Sequence, residues 1–170
     1  VTNSSSPYYF HAGSLQQMFT FSRFGGGSTC PDLVPSNNNT PDLEIPLANG
    51  FYIPISTPFE LTAEASDPDG DDLTYCWEQY NTGPLAELGN PVGNSPSFRS
   101  YPPVASPTRV FPRMHIIVIN GSEDVEVLPT YTRNLKFRCS VRDNNPEIGG
   151  VVWEEVSFEA TAQAGPFRVT

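Results

Sequence analysis

The residues best placed to do chemistry in this chain are carboxylates. Asp67, Asp69, Asp71 and Asp72 crowd four acidic groups into six positions around Pro68 and Gly70. Like charges this close repel one another unless water or a shared cation screens them. Calcium takes six to eight oxygens from carboxylates, carbonyls and water, and Asp67, Asp69 and Asp71 alternate as ligands in a compact acidic turn would. Asp143, followed by Asn144, ends a later apolar strand and is expected at the same end of the fold. Asp67, Asp69, Asp71 and Asp143 are therefore the candidate calcium ligands. A solvated turn is the plain alternative, because the spacing is too short for a full EF-hand loop.

Other catalytic patterns are missing from the sequence. Its two histidines are His11 and His115. A zinc-hydrolase helix needs two histidines four positions apart, so that both rings reach one metal. There is no Gly-x-Ser-x-Gly elbow. Gly25-Gly26-Gly27 follows an expected helix, whereas a phosphate loop precedes one. His11 and His115 thus read as structural residues. Arg109, Arg133 and Arg142 flank apolar strands and are expected to pair with turn carboxylates or carbonyls. Asn3, Asn38 and Asn120 fit the N-x-Ser/Thr pattern, which matters only in a eukaryotic secretory pathway.

The acidic turn must be held by strands. Leu61, Ala63 and Ala65 alternate before it, and Leu73, Tyr75 and Trp77 after it, with Pro68 and Gly70 supplying the reversal. Phe51 to Ile55 reads as an edge strand, since Pro54 cannot donate to a ladder. Residues 81 to 108 form a long loop with a short strand at Phe98 to Tyr101. Met114 to Ile119 reads as a strand ending in an Asn120-Gly121 turn. Leu135, Phe137, Cys139 and Val141 alternate on the next strand. Val152, Val156, Phe158 and Ala160 alternate on the last, with a bulge near Trp153.

The N-terminal part differs. Ser4-Ser5-Ser6-Pro7 resembles a helix start, and His11, Leu15, Met18, Phe19 and Ser22 recur at helical spacing until the Gly25 to Gly27 stop. Residues 25 to 50, with four prolines, read as an irregular linker. The whole is expected to be mainly β: an immunoglobulin-like or fibronectin type III-like antiparallel sandwich of about seven strands over 51 to 165, preceded by one helix and the linker. Residues 166 to 170 would begin a linker to a further domain.

Composition sets outer limits. Eighteen prolines and thirteen glycines in 170 residues suit short strands and turns. A net charge of −10 opposes binding to nucleic acid or to an anionic membrane surface. No run approaches the roughly 20 apolar residues of a membrane span. With three cysteines, Cys30, Cys76 and Cys139, one is left over in any pairing within the chain. Trp77 facing inward puts Cys76 on the outer face, and Cys139 shares the inward parity of Phe137, so Cys76 and Cys139 should not pair.

Several segments in order carry a resemblance. They are Tyr9-Phe10-His11-Ala12-Gly13-Ser14-Leu15, Gly27-Ser28-Thr29-Cys30, Ile53-Pro54-Ile55-Ser56-Thr57-Pro58-Phe59, and Asp67-Pro68-Asp69-Gly70-Asp71 running to Trp77-Glu78-Gln79. Phe98-Arg99-Ser100, Arg109-Val110-Phe111-Pro112, Val141-Arg142-Asp143-Asn144 and Gly165-Pro166-Phe167-Arg168-Val169-Thr170 follow. This series resembles the region after the zinc motif in large secreted bacterial reprolysin-like metallopeptidases of the metzincin group. The resemblance implies that residues 1 to 24 are the last helix of a catalytic domain, and that zinc and the HExxHxxGxxH segment belong to that domain, before Val1. It also implies that Cys30 pairs there, that the chain itself is a non-catalytic spacer, brace or substrate-docking module, and that its location is extracellular. Its partners would be the catalytic domain of the same parent and a protein or glycan substrate. The rival is a free-standing adhesion or carbohydrate-binding module, stabilised by calcium, with Tyr80, Phe98 and Tyr101 as its available aromatics. An independent hydrolase is disfavoured by the histidine count and spacing.

Overall fold

The computed structural model describes residues 9–29, 32, 34–47 and 49–165. The expected helix start at Ser4 to Pro7, the Asn3 sequon, Cys30 and the segment 166–170 lie outside the described residues.

The fold is mainly β. Its centre is a four-stranded sheet of β2 (Tyr52–Pro54), β8 (Val151–Thr161), β7 (Arg133–Arg142) and β5 (Thr74–Gln79), in that order. A two-stranded pair, β3 (Phe59–Thr62) with β6 (Thr108–Phe111), is joined antiparallel. A second pair, β1 (Asp42–Glu44) with β4 (Glu64–Ser66), is joined the same way.

Strand β7 shows why this sheet forms. Leu135, Phe137, Cys139 and Val141 alternate with polar residues, so one pleated face is apolar, and all four are fully buried. Val156, Phe158 and Ala160 of β8 and Tyr75 and Trp77 of β5 continue that face. Rings from β3 and β6 close the core from the other side. Phe111 lies 4.7 Å from Phe137, and Phe59 lies 5.4 Å from Phe158, centroid to centroid. Each such pair adds about 0.5–1.5 kcal/mol beyond its buried area. The Trp77 indole N–H is satisfied by Pro107 O at 2.9 Å.

Several expectations are corrected. Met114 to Ile119 is not a strand: α2 spans Met114–Val118. Its apolar run is too short for periodicity to decide between helix and strand. Asn120 takes a left-handed φ of 48°. Gly121 N–H then bonds Ile116 O at 2.9 Å and Asn120 N–H bonds Ile117 O at 3.0 Å. That is a Schellman closure, so the Asn-Gly pair caps a helix here instead of turning a hairpin. His115 accordingly sits on this helix.

The region 25 to 50 is not wholly irregular, because β1 lies within it and a 3₁₀ turn spans Gly26–Thr29. The strand expected across Leu61, Ala63 and Ala65 divides into β3 and β4, which take different partners. The edge strand at Pro54 is present, but β2 runs parallel to β8, so the sheet is not purely antiparallel. The β7–β8 register is continuous from Arg133 to Arg142, with no bulge at Trp153. The short strand at Phe98 to Tyr101 reduces to one bridge, Phe98 to Glu126.

The outer face of the sheet is covered. Helix α1 (Ala12–Phe24) begins later than the Ser4 to Pro7 signal suggested and lies against β5, β7 and β8. Glu78 on β5 accepts the Ala12 N–H at 2.7 Å and lies 2.7 Å from His11 Nδ1. Arg138 on β7 donates to Gln16 Oε1 at 2.7 Å and to Ala12 O. Trp153 on β8 meets Phe19 edge-on at 5.4 Å. Cys76 does face outward, as its parity requires, but it is buried rather than exposed, with its thiol 3.3 Å from Tyr101 O.

Candidate functional site

The acidic turn joins β4 to β5. Gly70 adopts φ +82°, the left-handed conformation that favours glycine. Asp67 Oδ1 accepts the N–H groups of Asp69 at 2.8 Å and Asp71 at 3.1 Å, which winds the loop around the Asp67 carboxylate. Ligand oxygens of Asp67, Asp69 and Asp71 all fall within 4.8 Å of one another. The sequence-predicted triad is therefore brought together.

The turn is also tied to the preceding segment. Asp69 accepts the Asn39 backbone N–H at 2.6 Å and its side-chain amide at 3.0 Å. These bonds, the backbone one foremost, hold the Asp69 carboxyl below its ordinary range. Asp71 Oδ2 accepts from Asn145 Nδ2 at 2.9 Å. A calcium ion on the triad would have to share or displace these N–H donors. Asp67 Oδ2 is inaccessible to solvent and has no partner among the described residues.

Asp143 is not in the cluster. It is fully buried, and its oxygens accept Gly150 N–H at 2.8 Å, Asn145 N–H at 3.2 Å and Asn38 Nδ2 at 2.7 Å. With its oxygens accepting N–H bonds in this way, it anchors the β7–β8 connection rather than offering a metal ligand. Asn38 and Asn145 link it to Asp71. Asn38 and Asn39 were missed as site residues because a polar run with no periodicity reads as linker. The only available signal was two adjacent amides, each able to both donate and accept. The Asn38 sequon amide is engaged with Asp143 and Ile148 O.

The remaining candidates separate. His11 is bound to Glu78, while His115 Nε2 faces Glu123 Oε1 at 3.3 Å on α2. Arg109 donates to Trp77 O, Arg99 O and Glu126, Arg133 to Ser95 O, and Arg142 to Phe10 O, which are structural bonds. Cys76 and Cys139 are free thiols. They lie opposite Ser140 and Trp77 respectively, on different faces of the sheet, and do not pair. Burial, then the negative charge of Glu78, pushes the Cys76 thiol up to about 11, and burial raises Cys139 further. Such thiols are poor nucleophiles.

Of the three aromatics considered for sugar binding, Phe98 is in the core. Tyr101 is flanked by the guanidinium groups of Arg109 at 4.9 Å and Arg113 at 4.5 Å. Tyr80, like Tyr101, is half-exposed, beside α1, with the Arg138 guanidinium on its ring at 3.8 Å. Among the described residues, no helix is long and apolar enough to cross a membrane. No family model matches the chain, and comparisons with curated proteins and with solved structures returned no match.

Proposed function

We propose that this chain is a non-catalytic accessory module of a secreted multidomain zinc metallopeptidase, acting as a spacer, brace or docking surface for a catalytic part carried elsewhere in the parent. The observation that carries the reading is how α1 is seated. Polar bonds from Glu78 and Arg138 fasten it to the outer face of the sheet. Phe10, Met18 and Phe24 nevertheless remain 62%, 42% and 78% exposed. Phe24 packs ring to ring with Phe19, itself 40% exposed, at 6.0 Å, and adjoining apolar surface of this kind is the usual mark of a contact with another protein surface. The ordered motif series that resembles reprolysin-like enzymes supplies the identity of that partner. The facing of the β5–β7–β8 sheet by β3 and β6, with Trp77 inward, supports an immunoglobulin-like or fibronectin type III-like sandwich as the architecture.

The test is the encoding gene upstream of Val1. An HExxHxxGxxH segment followed by a Met-turn is the expected finding. A gene whose upstream sequence encodes a signal peptide and no zinc motif would overturn the reading. Zinc-dependent peptidase activity in the purified chain would also count against it.

A second reading is favoured by one observation, the approach of the Asp67, Asp69 and Asp71 oxygens to within 4.8 Å. It is a free-standing extracellular adhesion module stabilised by calcium, and a calcium-dependent rise in melting temperature would support it.

A further inference from the structure

A cleft of about 580 Å³ lies between α1 and Tyr80, within the roughly 300–1,000 Å³ typical of ligand sites. Phe21 and Tyr80 bring aromatic rings to it, Gln16 and Gln17 bring amides, Thr20 brings a hydroxyl, and Gly13 leaves bare backbone. Its lining contains no Asp, Glu, Lys, Arg or His, although the chain as a whole carries a net charge of −10. Phe21 is 63% exposed.

Tyr80 is held in place. The Arg138 guanidinium stacks on its ring at 3.8 Å, and its hydroxyl donates to Gln16 Oε1 at 2.8 Å. The side chains of Gln17 and Thr20 have no partner among the described residues.

We infer that this cleft binds a neutral oligosaccharide. A pyranose ring presents a flat C–H face and a rim of hydroxyls. The face packs on aromatic rings, and the hydroxyls need groups that both donate and accept, as amides and hydroxyls do. A charged ligand would need a counter-charge in the lining, and an apolar peptide side chain would leave the amides unpaired. The inference goes beyond the accessory role and does not depend on the identity of the parent. Phe10, Met18 and Phe24, the residues offered to the catalytic part, do not line the cleft.

The test is isothermal titration of the 170-residue chain with neutral hexasaccharides of glucose, mannose, xylose and N-acetylglucosamine. At least one should give saturable binding. Phe21→Ala should weaken it about tenfold by removing one stacking face. Gly13→Leu should abolish it, because a Cβ at Gly13 meets nothing within 4 Å and the longer side chain then grows into open cleft. Leucine is a good helix former, so this variant should keep its fold, which circular dichroism melting checks. No heat with any neutral sugar, or binding that both variants leave unchanged, overturns the inference. So does binding confined to an acidic polysaccharide such as alginate. Any of these outcomes leaves the upstream-gene test of the accessory role untouched.

Discussion

The carboxylate of Glu78 accepts the backbone N–H of Ala12 at 2.7 Å, across 66 residues of chain. Helix α1 has no capping side chain of its own, since His11 at its N-cap makes no such bond. A buried strand residue supplies the acceptor instead, and its negative charge lies at the positive end of the helix dipole. The start of the helix is thereby bonded to strand β5.

Replacing this acceptor should detach the helix start. Glu78→Ala is expected to lower stability by about 2–3 kcal/mol, the value of a charged hydrogen bond plus an orphaned donor. Glu78→Gln, which keeps an oxygen acceptor, should cost less. Urea unfolding gives the totals, and amide exchange should show faster opening in α1 than in β7. A loss below about 0.5 kcal/mol for the alanine variant, the range of an ordinary surface change, would rule out the clamp.

Asp143 should be among the most sensitive polar positions. Asp143→Ala removes a buried acceptor that serves Gly150, Asn145 and Asn38, so a loss of about 3 kcal/mol or more is expected. Gly150→Ala should also destabilise, because a Cβ there would approach Asp143 Oδ2 to 2.6 Å and the Thr40 Cα to 3.3 Å. Both losses should be the same with calcium and with a chelator. A calcium-dependent loss would return Asp143 to the list of metal ligands.

Asp67 Oδ1, both Asp69 oxygens and Asp71 Oδ2 already accept N–H bonds from the turn itself, Asn39 and Asn145, although Asp67 Oδ2 has no partner among the described residues. Millimolar calcium should therefore shift the melting temperature of the wild type by no more than about 1 °C, below the ~2–4 °C that 1 kcal/mol produces in a chain of this size. A larger rise that Asp67→Asn and Asp71→Asn both remove would favour the calcium-stabilised adhesion reading over the accessory one.

The two buried thiols make stability fall in alkali. The Cys76 thiol titrates at about 11 in the folded chain against an ordinary 9.0, and Cys139 is raised further by burial. Between these values the unfolded chain has lost its thiol protons while the folded chain keeps them, so ionisation favours unfolding. The stabilising effect of the neutral thiols is complete below about pH 9 and is lost as pH rises towards about 11 and beyond. Denaturant midpoints measured from pH 8 upwards should decline, and a Cys76→Ala, Cys139→Ala double variant should show a shallower decline. Parallel slopes would exclude the thiols as the cause.

Much of the core could be read from alternation alone. Leu135, Phe137, Cys139 and Val141 reveal the central strand because a pleated strand with one buried face must alternate. The approach of Asp67, Asp69 and Asp71 was equally legible, since a Pro-Asp-Gly turn keeps near neighbours near. Met114 to Ile119 was not legible: a six-residue apolar run is compatible with either period, and the choice fell to Asn120 and Gly121 closing a helix end.

The sequence by itself determined a mainly β chain, the parity that keeps Cys76 and Cys139 apart, and the local acidic turn. These follow from interactions between residues a few positions apart. Only the tertiary structure decided that Asp143 is an N–H-saturated anchor bonded by Asn38 and that Asn39 ties down the acidic turn. The same is true of α1 resting on Glu78, Arg138 and Trp153. Those contacts join residues far apart in the chain, and on a strand a charged residue bound for solvent and one bound for a helix terminus look the same.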